Sequence, residues 1–323
     1  MSITLSIIIP AYNAERYVDR CFESVYNDGL PEEKFEVVAI NDGSKDNTSK
    51  LLNAWRSKHE NITLIDKENE GVSVARNVGL GAAKGEYVLF LDVDDELVGG
   101  SLTKVYGYLE EHEPMDMLVT RQIRNDGKQE KIVEEPPLDE HRRYDGYEAF
   151  CKGFIRTNAG GGICRREFLK EYKISFPAGV RNAEDTIFFG HMQVYAKSIV
   201  YCNIPLYRIN EAEASASRSN DYTKLAKSHV ITMRAVADVK KSLKADREHK
   251  AIFDFVVYQL LSNTIADFVG SKDLTYTDFI REVDIRGLLP IDTVYMTMML
   301  SKARMMNFSV PLFYFLSWMK NRK

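Results

Sequence analysis

The chain has 323 residues, 45% of them hydrophobic and 28% charged, with a formal net charge of -4. That balance excludes a disordered chain and leaves room for one large domain, or one domain with a smaller appendage. The slight acidity gives no reason to expect a nucleic-acid partner.

In chain order, Leu5–Ile9 is an apolar run ending at Pro10 and predicts a buried first strand. Residues 14–26 have helical spacing, with Tyr17, Val18, Cys21 and Val25 on one side and Asn13 as the expected cap. Phe35–Ile40 predicts a second strand ending in the turn Asn41-Asp42-Gly43-Ser44, followed by a helix over 50–58. Ile62–Ile65 predicts a third strand, Val72–Ala83 a helix, and Tyr87–Leu91 a fourth strand running into Asp92-Val93-Asp94-Asp95. Such alternation predicts an α/β fold, with a mostly parallel sheet and helices on both faces. Ligands of such sheets bind beyond the carboxyl ends of the strands, where these polar turns collect.

Beyond residue 100 the pattern loosens. A helix is expected over 101–111, a strand over 116–121, a charged loop or edge over 128–138 and a helix over 184–196. Gly160-Gly161-Gly162 marks a flexible or tight point. From about residue 222 the chain reads as helical, with helices expected over 225–243, 252–269 and 291–300. The expected division is a main α/β domain over 1–220 and a helical extension over 221–323. Four scattered cysteines without metal spacing suit a reducing compartment. No secretory signal and no run of roughly 18 to 20 apolar residues is evident, so a cytoplasmic location is expected.

Several side chains at strand ends can carry chemistry. Asp92, Asp94 and Asp95 would repel one another unless a cation sits among them, and Mg²⁺ or Mn²⁺ bridging a diphosphate suits carboxylate oxygens. A solvated acidic loop is the plain alternative. Asp42 can accept a hydrogen bond from a base or sugar, or close its own turn. Tyr12 can stack on a base or pack at the sheet edge. Arg76, among apolar residues, suits a diphosphate or a structural ion pair. Glu184-Asp185 opens a helix, where carboxylates serve as caps or as a general base.

Three segments together, SIIIPAYNAERYV, VVAINDGSKDNT and NEGVSVARNVGLGAAKGEYVLFLDVDDE, closely resemble glycosyltransferase family 2 over residues 1–110, and more loosely to about 220. The resemblance implies a GT-A fold and an inverting transferase that uses a UDP-sugar and Mn²⁺ or Mg²⁺. It implies that Pro10, Ala11 and Tyr12 contact the nucleotide, that Asp42 reads uracil, and that Arg76 lies near the diphosphate. Asp92 is then the ribose-side member of a DxD motif and Asp94 the metal-binding member. Asp185 is the expected base, with Glu184 supporting it. Pro205-Leu206-Tyr207-Arg208 and Ser215-Ala216-Ser217 are similar to a segment closing over the diphosphate, with Arg208 as its cation. Cys164–Leu169 resembles the approach to the acceptor region. The implied setting is bacterial surface-polysaccharide synthesis on a saccharide or lipid-linked saccharide acceptor. A non-catalytic nucleotide-sugar-binding protein is the alternative on the same fold. No GxGxxG occurs, which argues against a dinucleotide oxidoreductase.

Residues 308–319 (FSVPLFYFLSWM), followed by Lys320-Asn321-Arg322-Lys323, are apolar, aromatic and then basic. Such a segment suits the surface of an anionic cytoplasmic leaflet, or packing on the core.

Overall fold

The structure, a computed structural model, describes residues 5–133, 136–210, 221–294 and 300–321. The chain divides into two compact units. The first takes Met1–Asp145, Ala159–Ala178 and Ala196–Ser215, and the second takes Gly146–Asn158, Gly179–Tyr195 and Ala216–Lys323. The second unit therefore gathers two segments from before residue 220 as well as the helical C-terminal region.

The first unit holds strands β1 (Leu5–Ala11), β2 (Phe35–Asp42), β3 (Ile62–Lys67), β4 (Tyr87–Phe90), β5 (Glu96–Leu97), β6 (Met117–Asn125), β7 (Glu130–Ile132), β8 (Arg143–Tyr144), β9 (Gly162–Arg165) and β10 (Ile199–Asn210). Its helices are α1 (Val18–Tyr26), α2 (Thr48–Arg56), α3 (Val72–Ala82), α4 (Ser101–Glu111) and α6 (Arg166–Glu171). Among the described residues the strands form one mixed sheet in the order β3-β2-β1-β4-β9-β6-β10-β5, with β7 on β6 and β8 on β10. The first four strands run parallel, and β9 enters antiparallel between β4 and β6. Every residue of β1 and β2 is buried, as expected for strands covered on both faces. Full burial of each large apolar side chain contributes about 1.5–3 kcal/mol. Pro10 lies inside β1, but two residues past Ile8, the last residue paired with β4, where one strand side needs no ladder donor.

Two expectations change here, the start of the first helix and its cap. Helix α1 starts at Val18 and not near residue 14. Asn13 is not its cap: it sits at φ 48 and accepts a hydrogen bond from Lys45 N at 2.8 Å. The segment around Pro205–Arg208 is the end of strand β10, paired with β6 through two register irregularities that flank the proline. The charged stretch after 128, expected as loop or edge, holds the exposed edge strand β7.

The second unit comprises α5 (Gly146–Cys151), α7 (Glu184–Tyr195), α8 (Tyr222–Ser242), α9 (Arg247–Gly270), α10 (Tyr276–Glu282), α11 (Ile285–Leu288), α12 (Leu300–Phe308) and α13 (Val310–Asn321). Helices α7 and α9 are apolar on nearly all sides and form the centre of this core. They approach closely at Gly190, where a Cβ would lie 2.7 Å from Val256 Cγ2. The helix expected over 291–300 is not formed at 291–294, and 295–299 lie outside the described residues. Contrary to the sequence expectation, α9 is long and apolar enough to cross a bilayer, although 67% of its apolar window is buried inside the protein. Helix α13 buries Val310 and Tyr314 while Leu312, Phe315, Leu316 and Met319 remain exposed.

Candidate active site

The parallel strands β1, β2 and β3 end side by side at Ala11, Asp42 and Lys67. Ala11 is buried, and Tyr12, just past the strand end, is 50% exposed. Asn13 N donates to Ser44 Oγ at 3.1 Å, and Ala14 N to Thr48 Oγ1 at 2.7 Å. These bonds fasten the loop after β1 to the loop after β2. In that second loop Gly43 adopts φ 73, and a Cβ there would meet Asn69 N at 2.7 Å, so glycine is required.

Asp42 is buried, with 3% exposure, and it organises the loop from β3 to α3. Its Oδ1 accepts from Lys67 Nζ at 2.7 Å and Glu70 N at 3.1 Å, and its Oδ2 accepts from Gly71 N at 2.9 Å. The β2–β3 register sets Asp42 opposite Lys67. Burial pulls the Lys67 ammonium down, but hydrogen bonds to Asp42 and Glu70 outweigh it and hold its pKa above the ordinary value. Asp42 is thus tied up structurally, whatever else it contacts.

Helix α3 then delivers Arg76, 2% exposed, to the acidic loop. Its Nη2 donates to Asp92 Oδ1 at 2.6 Å, and its guanidinium lies 5.1 Å from the Phe176 ring centroid. The Phe176 backbone is held in turn by Asn77, whose Nδ2 donates to Phe176 O at 2.7 Å and whose Oδ1 accepts from Phe176 N at 2.9 Å.

Strand β10 supplies the support beneath the acidic loop. The phenol of Tyr207, 1% exposed, accepts from Asp92 N at 3.1 Å and donates to Asp95 Oδ2 at 2.9 Å. Asn210 N donates to Asp95 Oδ1 at 2.8 Å. Gly160 exists for this tyrosine: a Cβ there would lie 2.7 Å from the Tyr207 ring. Arg20 of α1 closes the other side, donating to Asp94 O at 2.6 Å and pairing with Glu96 at 2.7 Å. Arg208 pairs with Glu96 at 3.3 Å and Glu130 at 2.8 Å, so its guanidinium already faces two carboxylates.

The acidic loop is electrostatically loaded. Burial, then the neighbouring Asp92, raise the Asp94 carboxyl above its usual range despite Arg20 and Arg76. Burial and Asp92 push Asp95 up to about 7, against hydrogen bonds from Asn210 and Tyr207. Burial followed by Asp92 and Asp95 raise the Tyr207 phenol. A divalent cation would relieve this excess negative charge, and carboxylate oxygens are the donors that Mg²⁺ and Mn²⁺ prefer. Among the described residues no group of three metal-type side chains is assembled, so a cation there would need oxygens from a ligand.

Asp42, Arg76, Asp92, Asp94 and Arg208 are therefore linked in the first unit. Glu184 and Asp185 belong to the second, in the first turn of α7, after Ala183 in the left-handed region at φ 64. Glu184 is buried and Asp185 partly so. Ser215-Ala216-Ser217 lie outside the described residues. Lys67, Arg20 and Phe176 were not singled out from the sequence, and Tyr207 was named only within the segment Pro205–Arg208. Of these, only Lys67, a cation at a strand end beside an acidic turn, left a local signal.

A family model described as glycosyl transferase family 2 matches residues 6–173. A poly(ribitol-phosphate) beta-glucosyltransferase of Bacillus spizizenii is 29% identical over 198 residues, 60% of this chain and 30% of that protein. The chain thus spans less than a third of that relative's length. Residues 1–349 of S. aureus TarS, crystallised with UDP-GlcNAc, share the fold at TM-score 0.70 and 21% identity, over 99% of this chain and 91% of that one. A Pyrobaculum calidifontis mannosyltransferase, PcManGT, solved with GDP-Man and Mn²⁺, matches at TM-score 0.56 and 18% identity over 95% and 88% of the two chains.

Proposed function

The chain belongs to glycosyl transferase family 2, and from that premise we propose that it moves a sugar from a UDP-sugar to an acceptor hydroxyl during synthesis of a bacterial surface polymer. The observation that carries the reading is the loop Asp92–Asp95. The Asp94 and Asp95 carboxyls are raised by burial and by the neighbouring Asp92, on which Arg76 is braced. Such a loop suits a cation and a diphosphate.

Pro10, Ala11 and Tyr12 are the proposed nucleotide contacts, with Tyr12 exposed for base stacking. Asp42, rigidly held, is the proposed reader of the uracil imide. Asp92 is assigned to the ribose side, with Arg76 and Arg208 near the diphosphate. Asp94 is the proposed ligand of Mn²⁺ or Mg²⁺, which when bound supplies charge neutralisation to the diphosphate. Asp185 is the proposed base, supported by Glu184. It takes the proton of the acceptor hydroxyl as that oxygen attacks the anomeric carbon. The bond to the diphosphate oxygen breaks on the opposite face, and the configuration inverts. The acceptor is a saccharide or lipid-linked saccharide, and TarS, which was crystallised with UDP-GlcNAc, supports a UDP donor.

The segment 308–323 is proposed to rest on an anionic membrane surface at the cytoplasmic face. The exposed stripe Leu312, Phe315, Leu316 and Met319 supports this, as do the basic residues that follow in sequence. Deleting 308–323 should abolish co-sedimentation with phosphatidylglycerol vesicles, and unchanged binding would rule the contact out.

For the reaction, the protein with Mn²⁺ or Mg²⁺ is offered a panel of UDP-, GDP- and TDP-sugars, and release of free nucleoside diphosphate is recorded. One UDP-sugar should turn over. Asp94→Ala should lower the rate by about 10²–10³-fold and Asp185→Asn by about 10²–10⁴-fold. If calorimetry finds no metal-dependent binding of any nucleotide sugar, the assignment fails.

A further inference from the structure

Within the first unit, α3 and α6 flank a cavity of about 470 Å³. Leu80, Leu169 and Ile174 give it apolar lining, with Leu169 and Ile174 almost wholly buried. Arg166, Lys170 and Lys173 also line it, and no carboxylate does. This volume lies in the range of small-molecule sites. The basic side chains differ in how they are held. Arg166 Nε donates to Gly85 O at 2.7 Å, and its Nη1 pairs with Glu167 at 3.1 Å, which fixes it as part of the wall. Lys170 reaches the same Glu167 only at 4.0 Å. Lys173 is exposed and has no ion-pair partner among the described residues.

The backbone at Lys173 adds an independent observation. Helix α6 ends in a reversal in which Lys173 N donates to Lys170 O at 3.2 Å and Ile174 N to Leu169 O at 2.8 Å. In that motif the residue in the position of Lys173 adopts left-handed backbone, and glycine is the usual occupant. Lys173 stands there at φ 53. A side chain is thus kept where glycine would relieve strain, and that side chain is the cation at the cavity.

We propose that this cavity binds a phosphate ester, its phosphate held by Lys173 and Lys170 and its carbon chain lying along Leu80, Leu169 and Ile174. Such an ester could come from a phospholipid headgroup or from a free polyol phosphate. The chemistry recognised is the same: an anion with an attached carbon chain. Arg166 and Leu169 lie in the segment likened above to the approach to the acceptor region, but Lys170 and Lys173, which hold the phosphate, are assigned to neither donor nor acceptor, so the proposal does not depend on the sugar-transfer reading.

The test is calorimetric titration of the full-length protein with monomeric dihexanoyl phosphatidylglycerol, glycerol 3-phosphate and inorganic phosphate. At least one ester should bind more tightly than inorganic phosphate, and which one does identifies the source. Lys173→Gly should weaken that binding by about tenfold, the loss of one charged contact. The same variant should raise Tm by about 2 °C through relief of the left-handed strain, so lost binding cannot be put down to lost folding. Lys170→Ala, on the exposed helix face, should weaken binding similarly at unchanged Tm. Absence of binding by either ester overturns the proposal. So does affinity no better than that of inorganic phosphate, or affinity unmoved by both substitutions.

Discussion

Asp42 and Lys67 form a pair whose side chains are 4% and 12% exposed. Removing one member of such a pair leaves an uncompensated buried charge. Lys67→Met should therefore destabilise the fold by about 3 kcal/mol, the low end for such pairs because two backbone amides still serve Asp42. Urea unfolding checks this, and a loss under 0.5 kcal/mol would show the pair to be dispensable. Tyr207→Phe removes one hydroxyl that both accepts from Asp92 N and donates to Asp95. It should cost roughly 1–3 kcal/mol and weaken nucleotide binding by loosening the loop. Unaltered binding would separate Tyr207 from the site. The acidic loop itself was legible because its residues are neighbours in sequence at a strand end. The Lys67 partnership needed the β2–β3 register, and Tyr207 reaches Asp95 from 112 residues away. No local pattern carries either fact.

At the scale of elements, the regular pieces were legible and the joints were not. Helix α4 runs over the residues its periodicity marks, Ser101–Glu111. Helix α1 starts late because Asn13, a good cap by type, is taken by the β2 loop. Strand β10 hid behind Pro205 and two register irregularities, which break the alternation that marks a strand. Helix α7 is apolar nearly all round, so its pattern could not indicate which neighbour it packs on. That same burial has a pH consequence. His191, 9% exposed beside the Tyr195 ring, has its pKa lowered by burial from 6.5 to about 4. The folded state binds fewer protons there than the unfolded chain. Its contribution is complete above pH 6.5 and is lost as pH falls toward 4, by roughly 3 kcal/mol at most. Chemical unfolding at pH 7 and pH 4.5 should show this loss in the wild type and a smaller one in His191→Gln. An identical loss in both would locate the acid sensitivity elsewhere.

On the scale of the whole molecule, the helical C-terminal region was legible, and so was the sheet's parallel half. The interleaving of the two units was not, because it depends on which buried faces meet. The second unit takes Gly146–Asn158 and Gly179–Tyr195 from within the first. A fragment ending at residue 220 would keep α7 but lose α9, against which Gly190 packs at Val256. It should be poorly soluble and should bind a hydrophobic dye, whereas the full chain should not. A monomeric, cooperatively unfolding fragment would show that the first 220 residues fold on their own.

The close seat of α7 on α9 also sets a schedule for the newborn chain. Helix α7 is complete at Tyr195, and its partner only at Gly270, roughly 75 residues later. At about 5–20 residues per second, synthesis leaves α7 waiting for some 4–15 s. For that interval a helix with apolar residues on nearly every side has no finished core to enter. It is then that the chain is most exposed to aggregation and to capture by chaperones, before any ligand can help it.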